Sequence, residues 1–255
     1  MNQNRIQVRG VFFDNVTLDE AAHLLRAAAR ENRSGVSVFT PNSEIVQMCL
    51  EDPSMREIIN GGGMVVPDGI GVVKAARILG TPLKAKVAGV DLGRRVIAFA
   101  AEEGYPVALV GGKPGVAEDA ASALRETYPG LNICLTADGY FKKEGEENEA
   151  VLCRIRESGA RIVFVCFGAP AQEKWIAHNR DKLPGVNLLL GLGGSLDVYS
   201  GHVKRAPAIF VRLGLEWLYR LLKEPKRIGR MMSLPKFYFG TWKYKLFGKQ
   251  KGDAR

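Results

Sequence analysis

The sequence lacks the features that would mark a metalloprotein, a disulfide-linked protein or a membrane-spanning protein. It has four cysteines and three histidines, and the cysteines form no C-x-x-C pair and no metal-ligand spacing with a histidine. Cys134 and Cys166 lie inside apolar runs, as core thiols of a reducing compartment do. No apolar run reaches the roughly 18 residues of a membrane-spanning helix, and the sequence MNQNRIQVRG at its start lacks the apolar core of a signal peptide. We therefore expect a cytoplasmic protein whose membrane contact is peripheral.

The residues before position 202, about four-fifths of the chain, carry little net charge. The formal net charge is +9, yet the residues from His202 onward carry fourteen Lys or Arg against three Asp or Glu. That surplus of about +11 leaves about −2 for everything before it. With 46% hydrophobic and 25% charged residues, the chain is otherwise composed like an ordinary globular protein. The basic character therefore belongs to the C-terminal part.

Apolar segments of strand length alternate with segments of helical character along most of the chain. Strands are predicted at Val11–Phe13, Val36–Phe39, Met64–Val66, Val107–Val110, Leu131–Leu135, Arg161–Phe167 and Val186–Leu190. This alternation predicts an α/β fold with a mainly parallel, Rossmann-like sheet covered by helices on both faces. No linker rich in Gly, Ser or Pro divides it. We expect one catalytic domain over residues 1–200 and a helical, basic, amphipathic appendage over residues 201–255.

Polar residues follow two of the early strands, at the edge where open α/β sheets bind ligands. Thr40 and Asn42 follow Val36–Phe39, and Asp68 follows Met64–Val66. Each has an ordinary structural alternative, because Asn at this place caps a helix and Asp in a Pro-Asp-Gly turn stabilises the turn. In the functional interpretation, Asp68 is a general base at the end of a strand.

The later strands end in turns that suit a nucleotide. Gly111 opens a turn whose geometry favours a phosphate held by backbone N–H groups at a helix start, although it matches neither common glycine motif. Tyr140 follows the next strand and either stacks on a base or packs as a lid. Gln172 lies in the first turn of a helix, and Gly193 and Asp197 follow the last strand.

The segment Gly191–Arg230 joins a glycine turn to a basic helix that also carries aromatic and aliphatic residues. Within it, Arg220, Arg227 and Arg230 stand roughly two helical turns and then one turn apart. We interpret the segment as an active site coupled to an anionic, lipid-like partner. Ordinary contact of the arginines with lipid phosphate or solvent is the alternative. The aromatic residues after position 236 favour an anionic membrane surface.

Three classes of function compete on the residues alone. A glycosyltransferase acting on a membrane-held acceptor accounts for both the nucleotide-type edge and the basic tail. A dinucleotide-dependent oxidoreductase requires a glycine fingerprint followed by an acid about 20 residues on, and GGKPG is not one. A nucleic-acid-binding module would use the basic tail, but no RNP, KH or zinc-finger pattern is present. We expect no nucleic-acid partner.

Several motifs together resemble those of the WecG/TagA/CpsF family of bacterial glycosyltransferases. They are TPNSEIV, VPDGIGVV, VAGVDL, FGAPAQEKW, GSLDVYSGHVKRAP, GLEWLYRL and KEPKR. They stand in order over most of residues 12–230, and beyond that only the basic and aromatic character agrees. The resemblance implies inverting transfer of N-acetylmannosamine, or a related sugar, from UDP to undecaprenyl-diphosphate-linked N-acetylglucosamine in cell-wall or surface polysaccharide synthesis, such as that of teichoic acid. The family also uses UDP-N-acetylmannosaminuronic acid and UDP-glucose, so the sugar stays open.

The resemblance also implies roles for single residues. Asp68 is the base that deprotonates the acceptor hydroxyl, Gln172 lies in the sugar pocket, and Asp197 holds the two hydroxyls of the nucleotide ribose. Lys86 stands where the family usually has arginine, so it keeps the charge but loses the bidentate fork. Lys84 next to it is an alternative.

The remaining candidates divide between substrate and leaving group. Thr40, Asn42 and Lys86 are predicted to join Gln172 on the substrate; Gly111, Tyr140 and Gly193 join Asp197 on the nucleotide. No Asp-x-Asp occurs in the sequence, so we expect no metal and no cofactor. The charge on departing UDP is then stabilised by side chains, for which the family motif suggests Arg220, Arg227 and Arg230. The expected partners are the UDP-sugar, the polyprenyl-diphosphate acceptor and the anionic inner face of the plasma membrane, and the sequence leaves open whether a second copy of the chain is a partner.

Overall fold

The computed structural model describes residues 4–207, 209–210, 216–223 and 233–248. Two of the residues predicted for the site, Arg227 and Arg230, lie outside this part of the chain. Arg220 lies on a described helix, but its side chain is also outside the described set.

A six-stranded parallel sheet forms the centre of the molecule. The strands of the chain are β1 (Arg5–Val8), β2 (Val11–Asp14), β3 (Val36–Phe39), β4 (Met64–Val65), β5 (Val107–Gly111), β6 (Ile133–Ala137), β7 (Ile162–Cys166) and β8 (Leu188–Gly191). The order in the main sheet is β4-β3-β8-β7-β5-β6, and every neighbouring pair is parallel. Its inner strands are apolar on both faces, as a covered parallel sheet requires. The predicted fold class is confirmed.

Helices cover both faces of this sheet. They are α1 (Leu18–Arg30), α2 (Ser43–Glu51), α3 (Pro53–Asn60), α4 (Ile70–Leu79), α5 (Gly89–Glu103), α6 (Val116–Thr127), α7 (Gly145–Glu157), α8 (Ala171–Asn179), α9 (Ser195–Tyr199), α10 (Glu216–Lys223) and α11 (Ser233–Phe247). The first of them begins at the predicted capping box, where the backbone N–H of Glu20 donates to Thr17 Oγ1 at 3.2 Å and that of Thr17 donates to Glu20 Oε2 at 2.8 Å.

The two faces of the sheet bury separate hydrophobic clusters. Along β7, Phe164 points to the side covered by α1, α5, α6 and α9, while Val163 and Val165 point to the side covered by α2, α3, α4, α7, α8 and α11. This alternation follows from the two-residue period of a strand. Because both faces of the sheet present apolar side chains, the helices that follow successive strands can pack on opposite faces.

The strand predicted at Val11–Phe13 exists as β2 but does not belong to the main sheet. Among the described residues it pairs only with β1, in an antiparallel hairpin. The two turn residues, Arg9 and Gly10, both have positive φ, 53° and 85°, as a tight two-residue hairpin requires. Asp14 then ties the hairpin to the sheet edge, because its carboxylate accepts from the Val65 N–H at 2.8 Å.

The C-terminal helix α11 is packed into the second cluster. Phe237 is completely buried there, and Lys236 pairs with Glu51 of α2 at 2.5 Å. On the hairpin turn, Arg9 donates to the Gly240 carbonyl and lies 5.0 Å from the centre of the Tyr244 ring. The opposite face of α11 exposes large apolar side chains, namely Phe239, Trp242, Leu246 and Phe247. None of the helices in the described part of the chain combines the length and apolar character needed to cross a membrane.

The burial of Phe237 predicts a large effect on stability. We expect Phe237→Ala to lower the free energy of unfolding by about 3–5 kcal/mol, because it removes a buried ring and leaves a cavity. Phe247→Ala, on the same helix but at a side chain that is 75% exposed, should change it by no more than about 0.5 kcal/mol. Urea unfolding followed by circular dichroism measures both. Equal effects of the two variants would mean that α11 is not part of the core.

Candidate functional site

The carboxyl ends of the sheet strands lie side by side at one edge. Phe39 pairs in register with both Val65 and Gly191, and Gly111 pairs with Cys166. After β7 the chain turns into α8 on one face, whereas after β8 it turns into α9 on the other. Such a divergence opens a crevice at the edge, which is where open α/β sheets bind ligands.

Asp68 lies at this edge, half-buried, at the start of α5. The N–H of Asp68 donates to the Pro41 carbonyl at 3.2 Å, which joins the turns after β4 and β3. Its Oδ2 accepts from the backbone N–H of Gly89, the first residue of α5, at 3.4 Å. The positive end of the helix dipole favours an ionised carboxylate at this place. A general base must be ionised to accept a proton.

Thr40 lies beside the same helix start. Its Oγ1 donates to the Gly191 carbonyl at 3.2 Å, which links the ends of β3 and β8. A Cβ added to Gly89 would lie 3.1 Å from that oxygen, so glycine lets α5 begin against Thr40. Because Gly89 contacts both Thr40 and Asp68, the two predicted residues belong to one cluster.

Asn42 caps a helix, which is the structural alternative that the sequence predicted for it. Its Oδ1 accepts from the Ile45 N–H at 3.1 Å and thereby caps α2. The cap uses the oxygen of the amide and not its nitrogen. A contact of Asn42 with substrate therefore stays a prediction.

Gln172 joins the turns that follow β7 and β8. Its Oε1 accepts from two backbone N–H groups, that of Gly168 at 3.2 Å and that of Gly193 at 2.8 Å. The side chain is 3% exposed and lies beneath the glycine turn. Two of the residues predicted for different parts of the site, Gln172 and Gly193, are thus in direct contact.

The turns that were predicted to bind the nucleotide are also shaped by close backbone contacts. Gly111 has φ +142°, and a Cβ there would overlap the carbonyl of Cys166. The Gly139 N–H donates to the Gly112 carbonyl at 2.9 Å, which fixes the next turn against it. That turn presents Tyr140, whose side chain is 71% exposed. The ring is therefore available for stacking and does not act as a packed lid in this structure.

Asp197 lies in the first turn of α9, after the glycine turn of β8. Its carboxylate is half-buried and makes no hydrogen bond within the described ranges. Acceptor oxygens of this kind suit a pair of hydroxyl groups. Binding of ribose by Asp197 stays a prediction.

Lys86 is engaged by the C-terminal part of the chain. Its Nζ lies 2.5 Å from Glu216 Oε2, at the start of α10, and both side chains are about one-fifth exposed. Glu216 also lies 3.7 Å from Arg205, which binds Asp91 through two contacts of 2.5 and 2.7 Å. Hydrogen bonding to Asp91 raises the pKa of Arg205. We call these four residues the charge chain; it connects α10 to the first turn of α5.

The charge chain was not predicted, although its residues lie within recognised motifs. VAGVDL contains Asp91, GSLDVYSGHVKRAP contains Arg205, and GLEWLYRL contains Glu216. The common signal is that each motif places a charged residue next to apolar residues. Arg220 follows Glu216 by one helical turn in α10. The roles predicted for Arg220, Arg227 and Arg230 remain predictions.

Two buried thiols near the edge are unsuited to nucleophilic chemistry. Burial raises the pKa of Cys166, and that of Cys49, to about 12, so both remain protonated at neutral pH. Within the described ranges, no three His, Cys, Asp or Glu side chains come together as a potential metal site. The role of Asp68 as the base stays a prediction.

The parallel sheet with glycine turns at its carboxyl edge is typical of enzymes that bind nucleotides there. The chain belongs to the WecG/TagA/CpsF family of glycosyl transferases, whose model matches residues 6–251. It is 35% identical to the N-acetylglucosaminyldiphosphoundecaprenol N-acetyl-beta-D-mannosaminyltransferase of Bacillus spizizenii over 233 residues. The matched region covers 91% of this chain and 88% of that relative. The family resemblance inferred from the motifs is confirmed.

Proposed function

We propose that this chain transfers N-acetylmannosamine, or a related sugar, from UDP to undecaprenyl-diphosphate-linked N-acetylglucosamine, with inversion and without a metal ion. The observation that carries the proposal is the position of Asp68, a carboxylate at the edge where the ends of β3 and β4 meet the start of α5. The name of the 35% identical relative supports the acceptor and the sugar. Transfer of an N-acetylmannosaminuronic acid or glucose residue from UDP is the alternative within the same fold.

The chemistry needs one base and one stabilised leaving group. The acceptor hydroxyl loses its proton to Asp68 while its oxygen bonds to the anomeric carbon of the donor. The bond from that carbon to the diphosphate breaks, and UDP leaves with the electron pair. A single displacement on an α-linked nucleotide sugar gives a β-linked product, in agreement with the relative's name.

Backbone groups and cations near the edge are suited to the diphosphate. Helix α6 begins at Val116, and its N-cap residue Gly115 makes no side-chain cap. The N–H groups in the first turn of a helix favour an anion there. The arginines at positions 220, 227 and 230 supply further positive charge in this proposal, and Tyr140 and Asp197 hold the base and the ribose.

The direct test is UDP release from a panel of UDP-sugars with a short-chain lipid-diphosphate-linked N-acetylglucosamine acceptor. We expect UDP-N-acetylmannosamine to give the highest kcat/KM and excess EDTA to leave the rate unchanged. Loss of activity in EDTA that is restored by Mg²⁺ or Mn²⁺ would contradict metal independence. Absence of release with every sugar, in a folded protein, would contradict the function itself.

A second prediction concerns the base. We expect Asp68→Asn to fold normally and to lower kcat by at least about 10²-fold, the usual contribution of a general base. The matched control is Asp181→Asn, which removes a carboxylate that is 91% exposed and should leave kcat unchanged. Steady-state UDP release measures both, and near-normal turnover of Asp68→Asn would show that another group takes the proton.

We also propose that the C-terminal part holds the enzyme on the anionic inner face of the plasma membrane. Each Lys or Arg near such a surface contributes about 1 kcal/mol. If half of the surplus of about +11 takes part, about 5 kcal/mol is available for reversible binding. The exposed residues Phe239, Trp242 and Leu246 recur at helical spacing on α11 and support interfacial contact.

This surface can be tested without removing the helix from the core. We expect the triple variant Phe239→Ser, Trp242→Ser, Leu246→Ser to bind phosphatidylserine vesicles at least about tenfold more weakly, a loss of about 1.4 kcal/mol. Turnover on a water-soluble acceptor should stay unchanged. Phe12→Ser, at an exposed residue of the hairpin, is the control. Equal vesicle binding of all three proteins in a sedimentation assay would reject the membrane role of α11.

A further inference from the structure

A buried carboxyl group lies next to Gln172 in the first turn of α8. Glu173 is 1% exposed, and its Oε2 has no hydrogen-bond partner among the residues that the structure describes. An ionised carboxylate in this situation is costly, because no partner replaces the water it has lost. Burial accordingly raises the pKa of Glu173. The side chain thus has one oxygen, Oε1, that accepts a hydrogen bond and one, Oε2, without a partner among the described residues.

The oxygen that accepts a hydrogen bond, Oε1, is bonded to the amide of Gln172. Glu173 Oε1 accepts from Gln172 Nε2 at 2.9 Å, while Gln172 Oε1 accepts from the N–H groups of Gly168 and Gly193. The amide is therefore held at both of its ends. If it turned over, its NH₂ group would face two N–H donors and lose all three hydrogen bonds. The acceptor at position 173 adds a third hydrogen bond to the orientation that the two backbone donors favour.

We propose that Glu173 is a positioning residue, a neutral acid that orients the Gln172 amide and so keeps the turns after β7 and β8 joined at the crevice. The inference rests on the proposed function for its effect on transfer, because those turns form the donor side of the site. Its effect on the two turns is independent of which reaction the enzyme performs.

Replacement of Glu173 separates this role from an ordinary contribution to folding. Glu173→Leu removes the unpaired Oε2 but also leaves the buried Gln172 Nε2 without its acceptor, so its two effects on the melting temperature oppose each other. The same change removes the acceptor for Gln172, so kcat/KM for the UDP-sugar should fall about tenfold, mainly through KM. Glu173→Gln keeps a neutral acceptor oxygen and should restore kcat/KM to within about twofold of the wild type. Glu126→Leu, at an exposed glutamate of α6, is the matched control.

Two further readouts test the network whether or not transfer is observed. Amide hydrogen exchange at Gly168 and Gly193 should be about tenfold faster in Glu173→Leu than in the wild type and unchanged in Glu173→Gln. Infrared difference spectra of wild type minus Glu173→Gln should contain the carbonyl stretch of a protonated carboxylic acid. This last measurement needs only the conservative variant, and so it holds even if Glu173→Leu does not fold.

Each outcome of these experiments tests one part of the proposal. Unchanged exchange at both glycines in a folded Glu173→Leu would overturn the positioning role. A Glu173→Gln variant as impaired as Glu173→Leu, or the absence of the protonated-acid band, would overturn the neutral state. If the wild type transfers no sugar while the exchange and infrared results are as expected, the proposed function fails and the positioning of Gln172 stands.

Discussion

Close contact between backbone turns at the carboxyl edge is the constraint on which the site depends. Strand ends that lie in register bring the turns together, and at Gly111 a Cβ would overlap the carbonyl of the neighbouring strand. At Gly89 the space beside Thr40 is almost as limited. Glycine at these places lets neighbouring backbone segments meet without side chains between them. Thr40, Asp68 and Gln172 occupy the positions where these contacts leave room for a polar group.

The charged groups of the site have three kinds of surroundings. Asp68 accepts from the N–H group at a helix start, whereas Glu173 is buried, and burial raises its pKa. The charge chain through Lys86 and Glu216 is a third case, since its charges neutralise one another in contacts of 2.5 to 3.7 Å. Surroundings of these kinds decide whether a carboxyl group is ionised or neutral.

The sequence predicted the sheet well because its inner strands are continuous apolar runs, which have few alternatives once helices separate them. It did not predict β1, a short strand with the polar residues Arg5 and Gln7, nor the exclusion of β2 from the sheet. Within the site, the polar residues could be predicted because they directly follow strands in the sequence. Their contacts could not be predicted. The contact of Lys86 with Glu216 spans 130 residues of sequence, and no local pattern encodes it. The cap made by Asn42 is local, and the sequence had named it as the alternative.

Helix α11 has a consequence for how the chain acquires its structure during synthesis. A ribosome delivers the chain from its N-terminus, at about 5–20 residues per second. The slot between α2 and α4 is filled by Phe237, so it stays open to water until the ribosome has made the residues of α11. The hairpin turn at Arg9 has its partner, Gly240, 231 residues further along the chain, and Tyr244 lies one helical turn beyond that. The second hydrophobic cluster is therefore completed only after α11 has been made, and until then the apolar groove between α2 and α4 lacks Phe237.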